Sequence, residues 1–171
     1  MRTHTWVPNR FDDWVTVFYH THDKWIFDTF PATTDPGLYF LGEEKVLNDE
    51  GTAILKEGQC RTAYKLGRHG GEYRTLVQAR PVTVIRDFDR DGTLDLETGR
   101  EETGLFGINI QRARSEGTAS TTVGRWSAGG QVLADPRYFD HLIRLCEKGA
   151  QHFGNGLRIQ SSTSGTSKGR N

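Results

Sequence analysis

Residues 12–41 read DDWVTVFYHTHDKWIFDTFPATTDPGLYFL, and the alternation inside that stretch restricts the fold more than any other feature of the chain. Trp14, Val15, Val17 and Tyr19 precede a polar HTHDK turn, after which Trp25, Ile26 and Phe27 resume the pattern. Aromatic and β-branched side chains suit a pleated, half-buried surface, so the segment predicts a β-hairpin. TTDPG (33–37) follows as a turn in which Pro36 fixes φ and Gly37 supplies freedom, and LYFL (38–41) reads as a further strand. The rhythm returns in GQCRTAYKLG (58–67), YRTLVQARPVTVIRD (73–87) and LFGINIQRA (105–113). Many short strands between glycine-rich turns predict a mostly β fold, a β-sandwich or open barrel.

One segment breaks that rhythm. In ADPRYFDHLIRLCEKGAQHFGNG, Asp135 stands as an N-cap, Pro136 as the first helical residue, and Gly154–Gly156 as a stop. Phe139, Leu142, Ile143 and Cys146 fall on one stripe of that helix, which predicts its buried face. The chain of 171 residues has room for one domain with a real core, expected over residues 1–160. From Ser161 onward SSTSGTSKGRN has no apolar residue, and this tail is expected to be disordered.

Lys and Arg total 22 against 22 Asp and Glu, so the formal charge is zero. That balance lacks the footprint of a nucleic-acid binder, and Arg112 with Arg114 reads as a local cluster. No stretch is apolar enough for a membrane span, and no membrane partner is expected. Cys60 and Cys146 have no metal-ligand spacing and read as plain thiols. The N-terminal MRTHTWVPNRFDDW lacks the apolar core of a signal peptide, so the chain is expected to be made in the cytoplasm without a secretory signal.

The order of three further pieces resembles the L,D-transpeptidase catalytic-domain family, which cross-links or trims bacterial peptidoglycan on a mostly β fold. TTDPGLYF (33–40) is similar to that family's TP-x-G turn, with one inserted residue. GINIQRA (107–113) stands where the family carries a histidine at a strand end, and WSAGGQVL (126–133) stands where it carries a Ser-x-Gly-Cys run before a short helix. The resemblance spans residues 14 to 150 and implies the family's β fold. It also aligns Gln111 with the catalytic histidine and Gly130 with the cysteine nucleophile. Glycine offers no group to attack a carbonyl, and glutamine has no nitrogen that titrates near neutral pH. The arginine that often follows the nucleophile is absent too, since Gln131 and Val132 occupy those places. No catalytic residue is therefore assigned. A ligand site could survive in Gln111, Arg112, Ser127, Gly129 and Gly130, with approachable glycine N–H groups receiving a carbonyl or carboxylate. The alternative is a tight strand-to-helix connection with no ligand.

DFDRDGTLD (87–95) places Asp87, Asp89, Asp91 and Asp95 at positions one, three, five and nine of a loop, with Gly92 at six. This is the front half of an EF-hand-type calcium loop, and Ca2+ is the one cofactor it suggests; none is required by the rest of the chain. Position twelve holds Thr98 in place of the usual Glu, and PVTVIR before the loop reads as a strand, so a solvated hairpin turn is the competing reading.

These features lead to a catalytically lapsed L,D-transpeptidase-like module that binds peptidoglycan or serves as a structural part of a cell-wall-directed assembly such as a phage particle or tail. Its expected partners are peptidoglycan or other proteins of that assembly, and its expected place is the virion. Two alternatives stand beside it: an active peptidoglycan hydrolase or carboxypeptidase using Ser127 with His69 or a metal, and a β-sandwich interaction domain unrelated to the wall.

Overall fold

The computed structural model describes residues 7, 9–42, 47–94 and 96–161. The expected hairpin forms from β1 (Asp13–Thr21) and β2 (Lys24–Thr33), paired antiparallel from Asp13↔Ala32 to Thr21↔Lys24. His22 and Asp23 both take positive φ, 46° and 58°, which gives the two-residue turn whose twist matches that of the flanking strands. Further along come α1 (Leu38–Leu41), β3 (Thr52–Leu55), β4 (Gly58–His69), β5 (Tyr73–Gln78), β6 (Val82–Asp87), β7 (Arg100–Gly104), β8 (Ile110–Arg112), β9 (Gln131–Leu133), α2 (Pro136–Phe153) and β10 (Leu157–Ser161).

The strands form two sheets. The larger has seven strands in the order β1-β2-β9-β8-β5-β4-β10 and curls into a half-barrel; the smaller is β3-β6-β7. Every neighbouring pair is antiparallel except β8 and β9, which run parallel with Gln111 opposite Val132. One cluster of buried side chains joins both sheets to α2: Phe30, Tyr64, Leu76, Ile110 and Leu133 from the larger sheet, Leu55 and Val84 from the smaller, and Phe139, Leu142, Ile143 and Cys146 from the helix. The protein is thus mostly β with one substantial helix near its C-terminus.

α2 starts and stops where cap chemistry places it. The Asp135 side chain accepts from the Arg137 N–H, Pro136 opens the helix, and Gly154 closes it with a bond to the Ala150 carbonyl. All four residues of the expected stripe are buried.

Three expectations about strands need correction. LYFL is a single helical turn, because Gly37 gives its N–H to the Ser127 carbonyl and the Gly42 N–H returns to Leu38. Gly37 packs so tightly there that a Cβ would lie 2.0 Å from the Gly124 oxygen, and the adjacent edge of β2 is already taken by β9. Residues 73–87 are two strands in different sheets, since Ala79 and Arg80 turn back onto the Ala63 carbonyl before Pro81. In 105–113 only Ile110–Arg112 is strand. Gln78 holds the approach as a loop: its Oε1 accepts from the N–H groups of Phe106, Gly107 and Ile108 at 2.9, 3.0 and 3.2 Å. Ser161 ends β10, and the remainder of the expected disordered tail lies outside the described residues.

Candidate functional site

The parallel ladder of β8 and β9 holds Gln111, and Gly130 stands at its edge. Gln111 lies on β8 opposite Val132, while Gly130 lies just before β9, where a Cβ would sit 3.0 Å from the Asn109 carbonyl. The rung of Gly130 is therefore that of Asn109, two residues before Gln111, an offset of about 7 Å along a strand.

Between the two strands the chain closes a tight loop over residues 123–130. Trp126 gives its N–H to the Val123 carbonyl at 2.9 Å, and the side-chain amide of Gln111 donates to the Trp126 carbonyl at 2.9 Å. Ser127 is fully buried. Its hydroxyl donates to the Gly130 carbonyl at 2.8 Å and accepts from the Gly129 N–H at 3.2 Å. Gly129 has φ +105°, and a Cβ would lie 1.8 Å from the Ala53 carbonyl of β3. Both its conformation and its packing require glycine.

These contacts redistribute the five expected ligand residues. Ser127 and Gly129 are internal braces of the loop and line no surface cleft. Gln111 and Gly130 remain half-buried at the ladder beside Trp126, whose side chain is exposed. Arg112 goes elsewhere, because successive strand residues face opposite ways. Its guanidinium lies 4.3 Å from the Tyr73 ring centre and 5.9 Å from that of Phe139 on α2. There it borders a shallow cavity of about 250 Å³ with Arg74, Asp140, Arg144 and Glu147. Burial raises the Tyr73 phenol above its ordinary pKa, with the neighbouring Arg112 pulling against that rise.

His69 does not meet Ser127. Its Nδ1 lies 3.3 Å from the Asn109 side-chain nitrogen, and its ring packs 5.4 Å from that of Tyr73. The Ser127 hydroxyl proton is committed to a main-chain carbonyl, so the serine–histidine pairing has no counterpart in this geometry. The two thiols also lie off the ladder. Burial raises the Cys60 pKa and pushes that of Cys146 up to about 11, the latter helped by Glu147, so both stay protonated at neutral pH.

The acidic loop joins β6 to β7 as a hairpin connection. Asp87 is the last residue of β6, paired with Thr52 of β3 and buried. Asp89 Oδ1 accepts from the Asp91 N–H at 3.2 Å, and Asp91 Oδ1 from the Thr93 N–H at 2.6 Å, so both carboxylates brace the turn. Asp95 lies outside the described residues. Among those described, no three His, Cys, Asp or Glu side chains converge as metal ligands. No described helix is long and apolar enough to cross a membrane.

Gln78 and Asn109 escaped the sequence reading although they build the ladder's approach. Gln78 gives its N–H to the Asn109 side-chain oxygen at 3.0 Å and its own amide to the Gly104 carbonyl at 2.8 Å. No local signal marks them, since a polar residue in a short strand reads as a solvent-facing position. No family model, curated protein or solved structure matches this chain.

Proposed function

We propose that the protein is a catalytically silent module of the L,D-transpeptidase type that binds peptidoglycan within a cell-wall-directed assembly such as a phage particle or tail. The observation that carries this reading is the state of the β8–β9 ladder. Gln111 on β8 and Gly130 just before β9 lie two rungs apart at one end of the ladder, Gln111 spends its amide on the Trp126 carbonyl, and Gly130 has no side chain. Ser127, the nearest hydroxyl in the run, is sealed inside the loop. A scaffold of that kind can present half-buried backbone and an exposed Trp126 to a ligand, but it offers neither a nucleophile nor a base there.

Co-sedimentation with purified sacculi tests the reading. The protein is expected to pellet with intact sacculi in a saturable manner and to stay in the supernatant without them. Retention in the supernatant at every sacculus concentration would overturn it.

A further inference from the structure

The outer face of the β1–β2 hairpin carries a row of aromatic rings that the core does not use. Strand alternation places Trp14, Thr16, Phe18 and His20 of β1 on one face with their partners Pro31, Thr29, Phe27 and Trp25 of β2. Trp14, Phe18, Trp25 and Phe27 are each between 60% and 65% exposed, which is unusual for four large apolar side chains on one surface. Three of them, with His20, pack against one another. The Phe18 and Phe27 rings stack at 6.1 Å with 24° between planes, Phe18 meets Trp25 at 6.1 Å, and His20 meets the edge of Trp25 at 5.2 Å.

The shape of this row selects its occupant. Reading from the turn, the rungs are His20/Trp25, Phe18/Phe27, Thr16/Thr29 and Trp14/Pro31. Alternate rungs are about 7 Å apart, so the strip runs for about 20 Å and suits an elongated polymer lying along it. Seven of the eight residues have no ionisable side chain, which matches an uncharged polymer and gives an anionic lipid or nucleic acid little to pair with. The turn itself presents His22, Asp23 and Lys24, all exposed, so the hairpin does not enter a bilayer tip first. Flat rings meet the C–H faces of pyranoses well, and the hydrogen-bonded Thr16 and Thr29 hydroxyls, 3.3 Å apart, supply partners for sugar hydroxyls midway along the strip.

We infer that this face binds an uncharged glycan strand of N-acetylated hexosamines, with Trp25, Phe18, Phe27 and Trp14 as stacking platforms. The inference rests on the wall-directed reading above and assigns the sugar backbone to the hairpin. It leaves the peptide stems to the β8–β9 ladder.

The test titrates the full chain with tetra-N-acetylchitotetraose, which has no peptide, and reads tryptophan fluorescence and calorimetric heat. Saturable binding is expected, with Trp25→Ala and Phe18→Ala each weakening it at least tenfold. Phe27→Ala serves as a third variant, and unchanged circular dichroism establishes that each one folds. Absence of binding to the sugar would overturn the inference even if sacculi still retain the protein, in which case the wall reading stands on other contacts. The inference also falls if these substitutions leave sugar binding intact. It falls equally if they abolish only self-association in sedimentation, or only binding to phosphatidylglycerol vesicles.

Discussion

The side-chain amide of Gln111 donates to the main-chain carbonyl of Trp126 across 2.9 Å, tying the middle of β8 to the loop that leads into β9. Gln111 thus serves as a structural tie. Such a bond contributes about 1 kcal/mol net, so Gln111→Ala should lower the unfolding free energy by that order in urea melts. A loss of that size with undiminished retention on sacculi would identify Gln111 as support for the binding surface and not as part of it.

Gly129 and Gly130 should respond very differently to a methyl group. At Gly129 a Cβ would lie 1.8 Å from the Ala53 carbonyl on a backbone with φ +105°, so Gly129→Ala should cost about 3 kcal/mol or more. At Gly130 the Cβ would lie 3.0 Å from the Asn109 carbonyl with no positive φ, so Gly130→Ala should cost about 1 kcal/mol. Equilibrium urea unfolding of the two variants side by side checks the ordering.

Asp135 makes stability depend on acid. Hydrogen bonding from the Arg137 side chain holds its carboxyl below the ordinary carboxylate pKa against a rise from burial, with the Arg137 main-chain N–H adding a smaller lowering. A carboxylate lowered on folding contributes fully above its unfolded pKa, about 3.9, and its contribution is lost as pH falls through the folded value. Asn keeps the cap but has no charge. The stability difference between wild type and Asp135→Asn should therefore be constant above about pH 5 and close as the pH drops below 4. Asp135→Ala removes the cap as well and should cost about 1 kcal/mol.

The loop between β6 and β7 gives a direct metal test. Asp89 and Asp91 each hold a main-chain N–H within the turn, and the expected outcome is an unchanged thermal midpoint on moving from chelator to millimolar calcium. An ion bound at about 100 times its Kd would instead add roughly 2.7 kcal/mol and raise the midpoint by several degrees. A rise of that kind, lost in Asp91→Asn, would make the loop a calcium site.

The parts of the fold that local chemistry decides were legible in the sequence. The β1–β2 hairpin follows from alternation around a polar turn, and α2 follows from Asp135, Pro136 and Gly154. What tertiary pairing decides was not. Gln131–Leu133 becomes a strand because it slots between β2 and β8, and three residues carry no period of their own. Leu38–Leu41 turns helical because Gly37 is anchored to Ser127, a residue 90 positions away. At the site, the hydrogen-bonding of Gln111 and Gly130 could not be read from the sequence, since it depends on Trp126, Ser127 and Asn109 meeting them in space.

The central claim, a wall-binding scaffold without catalysis, is tested most directly by incubating the protein with purified sacculi and with stem-peptide donors, then analysing the soluble fraction by mass spectrometry. The account predicts that no muropeptide, free D-amino acid or exchanged cross-link appears above the no-protein control, while the protein itself is recovered with the sacculi. Product release by the unmodified protein, abolished by Ser127→Ala in a variant that still folds, would contradict it.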